Sequence, residues 1–219
     1  MKTGLIITGG KMNLAFAGRY VKTHPFDCIV SVDGGLKYTK ELGLIPTAIV
    51  GDFDTIQKEV LEEYRKIPSI LWDVHKPEKN ETDTELAIDT ALKLGCENLV
   101  ILGATGGRLD HEWSNVHLLK TCLDRRVDAC LLDQQNKVYL IEPPGREFKR
   151  EEVFGTYISF IPLTEKVRGI TLEGFKYPLN NKEISIGVEA GRLISNEIMQ
   201  ENSRIRLTEG ILICMESRD

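Results

Sequence analysis

Gly51-Asp52-Phe53-Asp54-Thr55 sets two carboxylates around one aromatic side chain, directly after the apolar run Ala48–Val50. Like charges so placed repel unless a cation or a donor sits between them. Oxygen ligands with no histidine or cysteine among them suit Mg²⁺, which usually takes one or two carboxylates together with substrate phosphates. Three more motifs also follow apolar runs. Asp33-Gly34-Gly35 comes after Ile29–Val32. The polar stretch His75–Glu81 follows Leu71–Val74 and leads into Thr82-Asp83-Thr84-Glu85. Gly103-Ala104-Thr105-Gly106-Gly107-Arg108-Leu109-Asp110-His111 follows Val100–Leu102. Glycine-rich turns expose backbone N–H groups that cradle phosphate oxygens, and a helix N-terminus adds its dipole. Arg108 and one of Lys76 or Lys79 are candidates to neutralise charge on phosphates. The chemistry this set suits is transfer of a phosphate-containing group.

Each motif also has a purely structural reading. Asp-Gly-Gly is an inexpensive tight turn. Thr82–Glu85 matches a capping box, with Asp83 near the positive end of the helix dipole. Glycines 103, 106 and 107 could simply let the chain turn into a helix. The Asp52/Asp54 pair resists such a reading, and so does the recurrence of the pattern. In open α/β sheets ligands bind at the carboxyl ends of the strands, and parallel strands would bring all four motifs to one edge. The common nucleotide signatures G-x-x-x-x-G-K-[ST] and G-x-G-x-x-G opening a helix are missing, which argues against a kinase of either common architecture.

The elements that must position these residues fall into two textures. Up to about Leu132, the short runs Gly4–Thr8, Cys28–Val32, Ala48–Val50, Ile70–Val74, Leu99–Leu102 and Ala129–Leu132 alternate with helical patterns such as Leu36–Leu42, Gln57–Tyr64, Thr84–Leu94 and Glu112–Leu123. Such alternation predicts βαβ units and a mostly parallel sheet. After Asp133 short runs, among them Lys137–Ile141, Thr156–Ile161, Arg168–Leu172, Glu183–Gly187, Ile205–Leu207 and Ile211–Met215, are separated by Gly, Pro and Asn, an all-β pattern of sandwich or barrel type. The predicted domains are therefore 1–133, α/β, and 134–219, all-β. Ten of the twelve aspartates fall within residues 1–132.

The 219 residues are 42% hydrophobic and 28% charged, which excludes a disordered or collagen-like chain. With 28 basic against 33 acidic residues, net charge −5, no bulk field favours nucleic acid or an anionic membrane. Charge-free stretches such as Leu42–Gly51 reach about ten residues, short of the roughly 18 that a membrane helix needs. Lys11 ends the first apolar run too early for a secretory signal. Five cysteines, an odd number without C-x-x-C and with mostly apolar neighbours, read as buried thiols of a reducing compartment. The expectation is a soluble, cytoplasmic, globular protein.

Six segments taken together resemble the thiamine pyrophosphokinase family: SVDGG (31–35), GDFDT (51–55), ETDTELAI (81–88), GATGGRLDH (103–111), KYPLNN (176–181) and ISNEI (194–198). They occur in order over nearly the whole chain. The resemblance implies an N-terminal α/β nucleotide-binding domain, a C-terminal β-sandwich that binds thiamine, and a homodimer with active sites between subunits. It implies transfer of the pyrophosphoryl group of ATP to thiamine with Mg²⁺, giving AMP and thiamine diphosphate. Position by position, Asp52, Asp54 and Asp83 match the metal-binding acids. Arg108 and Asp110 match the loop that faces the phosphates and the substrate hydroxyl. Asp33, Gly34, Gly35, Thr105, Gly106 and Gly107 match nucleotide contacts, and Ser195 and Asn196 match thiamine contacts. Thr55 stands where serine is usual, and Asn80 stands where the family often has an acid. Asp110 is expected to orient the hydroxyl or to accept its proton, and an acidic cluster would raise its pKa, which suits base work better. The aromatic wall suited to the thiazolium cation is left open among Trp72, Trp113 and a tyrosine of the β half.

Three other readings compete. A pyrophosphokinase acting on a hydroxymethylpterin would share the ATP half, and Ser195-Asn196 argues against it. A phosphatase of the haloacid-dehalogenase kind would want Thr or Val at position 56, which is Ile56. A nucleotide or thiamine sensor would be expected to have lost Asp52, Asp54 or Asp83, and all three are present. His111 is expected to hold its loop by a hydrogen bond rather than to act as a base, and the four histidines lack zinc spacing.

Overall fold

Val-, Ile- and Leu-rich runs of four or five residues are too short for buried helices and suit strands covered on both faces. In the computed structural model, which describes residues 1–53, 56, 58–75 and 81–219, the chain divides into two units, Met1–Gln134 and Gln135–Asp219. The first runs β1 (Thr3–Ile7), α1 (Leu14–Thr23), β2 (Cys28–Val32), α2 (Gly35–Glu41), β3 (Ala48–Gly51), α3 (Lys58–Arg65), β4 (Leu71–Val74), α4 (Asp83–Lys93), β5 (Asn98–Leu102), α5 (Leu109–Asp124), β6 (Asp128–Leu132). Its strands pair in parallel, in the order β4-β3-β2-β1-β5-β6. Leu5, Ile6 and Ile7, and Ala48, Ile49 and Val50, are consecutive and all fully buried, so both faces of the sheet are covered. Each fully buried Leu or Ile contributes about 1.5–3 kcal/mol.

The chain steps from β1 out to β4, then returns to the other side of β1 with β5. Strand order therefore reverses between β1 and β5, and a crevice forms at the carboxyl edge of such a switch point. Thr8 locks the two strands there: its backbone N–H and its hydroxyl both donate to the Leu102 carbonyl, at 2.9 and 3.2 Å. The strands fall within a residue or two of the runs read from sequence. Helix α1, preceding the first helical pattern named above, is started by Asn13, whose side chain accepts from the Phe16 N–H at 2.9 Å. Ala17 is its one fully buried residue.

The second unit is antiparallel: β7 (Asn136–Ile141), β8 (Gly145–Lys149), β9 (Tyr157–Pro162), β10 (Lys166–Glu173), β11 (Leu179–Ser185), β12 (Asn202–Arg206) and β13 (Leu212–Ser217). β13 lies between β7 and β9, and a second sheet runs β11-β10-β12-β8. Phe148 on β8, Phe160 on β9 and Phe175 after β10 meet edge to face, with ring centroids 5.8–6.3 Å apart, and join the two sheets' inner sides. The fold is thus mixed, a parallel-rich α/β sheet followed by antiparallel strands. All five cysteines are free, and four are buried. Burial pushes the Cys28 thiol up to about 12 and Cys122 to about 11, so neither is a thiolate near neutral pH. Among the described residues no helix is long and apolar enough to cross a membrane.

Candidate active site

The loops after β1, β2, β3 and β5 and the N-terminus of α4 surround a cavity of about 810 Å³ at the carboxyl edge of the parallel sheet. Asp33, Gly34, Asp52, Asp83, Thr105, Gly107, Arg108 and Asp110 all line it. Asp54 and Thr55, and Lys76, Lys79 and Asn80 of the loop after β4, lie outside the described residues.

Asp52 is aimed by its neighbour. Phe53 is buried, has a left-handed φ of +65°, and meets Trp72 edge to face at 5.5 Å among Leu36, Ile49, Tyr64 and Ile70. A bulky residue adopts that φ only when its surroundings compel it. Driving the aromatic ring into the core fixes the backbone from which Asp52 reaches the cavity. Asp33 also has a positive φ, +36°, with its N–H on the Val50 carbonyl and its own carbonyl accepting from Leu36, both at 2.9 Å. Asp83 opens α4, and the Thr82 side chain caps that helix by accepting from the Glu85 N–H at 3.2 Å. The capping reading and the site reading therefore hold together: the cap presents Asp83 at the positive end of α4.

The Gly103–Asp110 loop is held at several points. Buried Asn115 donates to the Ala104 carbonyl at 2.9 Å, Thr105 donates to Asp133 at 2.7 Å, and the Gly107 N–H donates to Glu112 at 2.7 Å. Arg108 grips Asp110 with two bonds, Nε to Oδ1 at 3.1 Å and Nη2 to Oδ2 at 2.6 Å. That grip, helped by the His111 N–H on the carboxylate at 3.0 Å, holds the Asp110 carboxyl down at about 2. The raised pKa expected of Asp110 is therefore wrong: the bond from the adjacent guanidinium outweighs what desolvation adds, and no neighbouring acid contributes. His111 bonds to this loop through its backbone rather than its ring.

Two other expectations change. Gly35 and Gly106 are not among the cavity-lining residues. A Cβ on Gly35 would sit 2.1 Å from the Ile7 carbonyl oxygen, so that glycine serves the close approach of α2 to β1. Asn196 is 1% exposed, and both ends of its amide are hydrogen-bonded. Its Oδ1 accepts from Tyr177 and Glu197 N–H at 3.0 and 2.9 Å, while its Nδ2 donates to the Tyr177 carbonyl at 2.9 Å. Its side chain holds the corner rather than reaching out of it. Exposed Ser195 beside it has a left-handed φ of +54°, with its N–H on the Ser159 hydroxyl at 3.0 Å. Of the aromatic candidates, Trp72 packs in the core against Phe53, Trp113 is half exposed near His117, and Tyr177 is half exposed with its backbone on Asn196. The sequence reading missed Thr8–Lys11, Glu112 and Asn115. A glycine pair closing the first apolar run was the available signal for the first of these.

Among the described residues no group of three or more His, Cys, Asp or Glu side chains is placed to hold a metal ion. Asp52 and Asp83 nonetheless fit Mg²⁺, which needs one or two carboxylates when phosphate oxygens complete its shell.

An acidic, glycine-lined cavity at the switch point of a parallel sheet defines an α/β protein equipped for phosphate-bearing ligands. Comparison with known proteins is specific. Residues 21–131 match the model of the thiamin pyrophosphokinase catalytic domain, and residues 147–212 match that of the thiamin pyrophosphokinase vitamin B1 binding domain. A thiamine pyrophosphokinase of Bacillus subtilis is 37% identical over the full length of both chains. The crystal structure of the Bacillus subtilis thiamine pyrophosphokinase superimposes with a TM-score of 0.87 at 33% identity, covering 100% of both chains. That of the Geobacillus thermodenitrificans thiamin pyrophosphokinase gives 0.84 at 32%, covering 100% of this chain and 98% of the other. The chain belongs to the thiamin pyrophosphokinase family.

Proposed function

We propose that this protein transfers the pyrophosphoryl group of ATP to the hydroxyl of thiamine, yielding thiamine diphosphate and AMP. The observation that carries the reading is the gathering of Asp52, Asp83, Arg108 and Asp110 with the glycine loops around one cavity at the switch point. A match to a vitamin B1 binding domain favours thiamine over a pterin as acceptor.

In this reading residues 1–133 are the nucleotide domain and residues 134–219 form a β-sandwich thiamine domain. Asp33, Gly34, Thr105 and Gly107 contact the nucleotide, with Gly35 and Gly106 supporting those turns. Asp52 and Asp83, with Asp54, hold Mg²⁺. Bound there, the ion screens the phosphates' charge against the incoming oxygen and the leaving AMP. The thiamine hydroxyl oxygen bonds to the β-phosphorus and releases its proton to solvent, the bond from that phosphorus to the α–β bridging oxygen breaks, and AMP departs with that oxygen. A carboxylate with a pKa of about 2 is a weak base. Asp110 therefore orients the hydroxyl and Arg108 rather than storing the proton, which suits a loose transition state that asks for positioning and charge more than for deprotonation. Ser195 contacts thiamine, and Asn196 holds Ser195 in place. The enzyme works as a cytoplasmic homodimer with active sites between subunits.

The test is incubation of purified protein with ATP, Mg²⁺ and thiamine, followed by chromatography. AMP and thiamine diphosphate are expected in equal amounts, and both are expected to vanish with chelator and in Asp52→Asn. AMP without thiamine diphosphate would refute thiamine as acceptor, and neither product from protein that still binds ATP would point to a sensor.

A further inference from the structure

Among the described residues the cavity is short of available positive charge. Asp33, Asp52, Glu81, Asp83, Asp110 and Glu112 line it, against Lys11 and Arg108 as the described fixed cations. Arg108 is already engaged by Asp110 through two hydrogen bonds. The Gly107 N–H, the kind of donor that cradles phosphate, is likewise engaged by a carboxylate, that of Glu112. Lys11 differs from both. It lines the cavity, it is exposed, and among the described residues its ammonium makes no ion pair or hydrogen bond. Its loop is firmly seated, because a Cβ on Gly10 would fall 2.2 Å from the Gly103 carbonyl oxygen. The backbone that carries Lys11 is thereby pressed against the start of the Gly103–Asp110 loop, across the point where strand order reverses.

From this we infer that Lys11 is the cation that engages the polyphosphate of the nucleotide, ahead of any release of Arg108 from Asp110. The inference rests on the pyrophosphoryl-transfer reading and adds a phosphate-binding residue to it. A lysine ammonium is a compact point charge on a flexible stem, suited to follow a polyphosphate whose charge shifts as AMP leaves. A residue that reads phosphate charge contributes in proportion to the phosphates present.

The experiment is calorimetric titration of the full-length protein, and of Lys11→Met and Lys11→Arg, with ATP, ADP and AMP, alongside steady-state kinetics. Lys11→Met is expected to weaken ATP binding by roughly tenfold, the scale of one hydrogen bond to a charged group. The loss should be smaller for ADP and smallest for AMP, with KM for thiamine unchanged. Lys11→Arg should recover most of the affinity. Unchanged ATP affinity in Lys11→Met would overturn the inference, as would equal losses for ATP and AMP, which would mark the lysine as merely supporting its loop. Those outcomes leave wild-type ATP binding and turnover intact. If wild type itself neither binds ATP nor forms thiamine diphosphate, the reading of the function fails, and the inference falls with it.

Discussion

The Gly103–Asp110 loop of the first unit and the Ser195–Asn196 corner of the second were both picked out by motif, yet they are built in opposite ways. In the loop, the polar groups that matter are outside: Arg108 and Asp110 are 74% and 64% exposed and grip each other across the surface. In the corner, the polar group is inside: Asn196 is 1% exposed and bonds only to backbone. A surface pair can exchange partners at little cost because water replaces what it loses. A buried amide that loses its partners leaves unmatched donors and acceptors in a dry place. Motif residues thus divide into those whose polar groups face solvent and those whose polar groups are spent on the fold.

The largest effect should come from the cavity's acids, on the ligand-facing side of this contrast. Asp83→Asn should lower kcat by roughly 10²–10³-fold, the scale of removing one preorganised charge from a transition state, with an unchanged melting temperature. A large loss of stability instead would reassign Asp83 to the capping of α4.

Asn196→Ala is the next test, and its readout is stability. Stranding the Tyr177 N–H and carbonyl and the Glu197 N–H should cost about 2–4 kcal/mol, from three part-buried groups at about 1–3 kcal/mol each less relief by water. Urea unfolding will measure it. An unaltered midpoint combined with a weakened KM for thiamine would return Asn196 to direct contact.

Asp110→Asn probes the surface pair through pH. A carboxyl depressed to about 2 stays ionised from neutral pH down. The pair's contribution is thus complete above the unfolded carboxyl's pKa, about 4, and is lost only as pH falls toward 2. Asp110→Asn should therefore lower the rate while the acid limb of kcat/KM between pH 5 and 8 keeps its position. A limb that disappears in the variant would restore Asp110 as the titrating base.

The smallest effect is expected at Ser195. Glycine accepts a φ of +54° without the strain that serine bears there, so Ser195→Gly should stabilise the fold by up to about 1 kcal/mol. Its KM for thiamine should rise. Stabilisation with unchanged KM would remove the hydroxyl from the site.

Most of the parallel sheet was legible because its strands are fully buried, and a run such as Leu5–Ile7 can satisfy its apolar side chains in few other ways. Strand β8 was not: in Gly145–Lys149 only Phe148 is buried, leaving no alternation to read. The cavity's acids were legible through their places after strand ends. Two features were hidden by short-range geometry. The spacing Arg108-x-Asp110 does not reveal a two-bond grip, so crowding by other acids pointed the pKa the wrong way. Asn196, in a Ser-Asn pair that reads as exposed loop, gives no sign of burial, which comes from Ile158 of β9 bridging to its backbone in both directions at 2.8 and 3.0 Å.

The most direct measurement follows the fate of the β-phosphorus. With ATP labelled there, and thiamine and Mg²⁺ present, transfer of an intact pyrophosphoryl group carries the label into the inner phosphate of thiamine diphosphate, one AMP forms per turnover, and no ADP appears. Label retained in ADP, with thiamine phosphorylated one phosphoryl group at a time, would contradict the account.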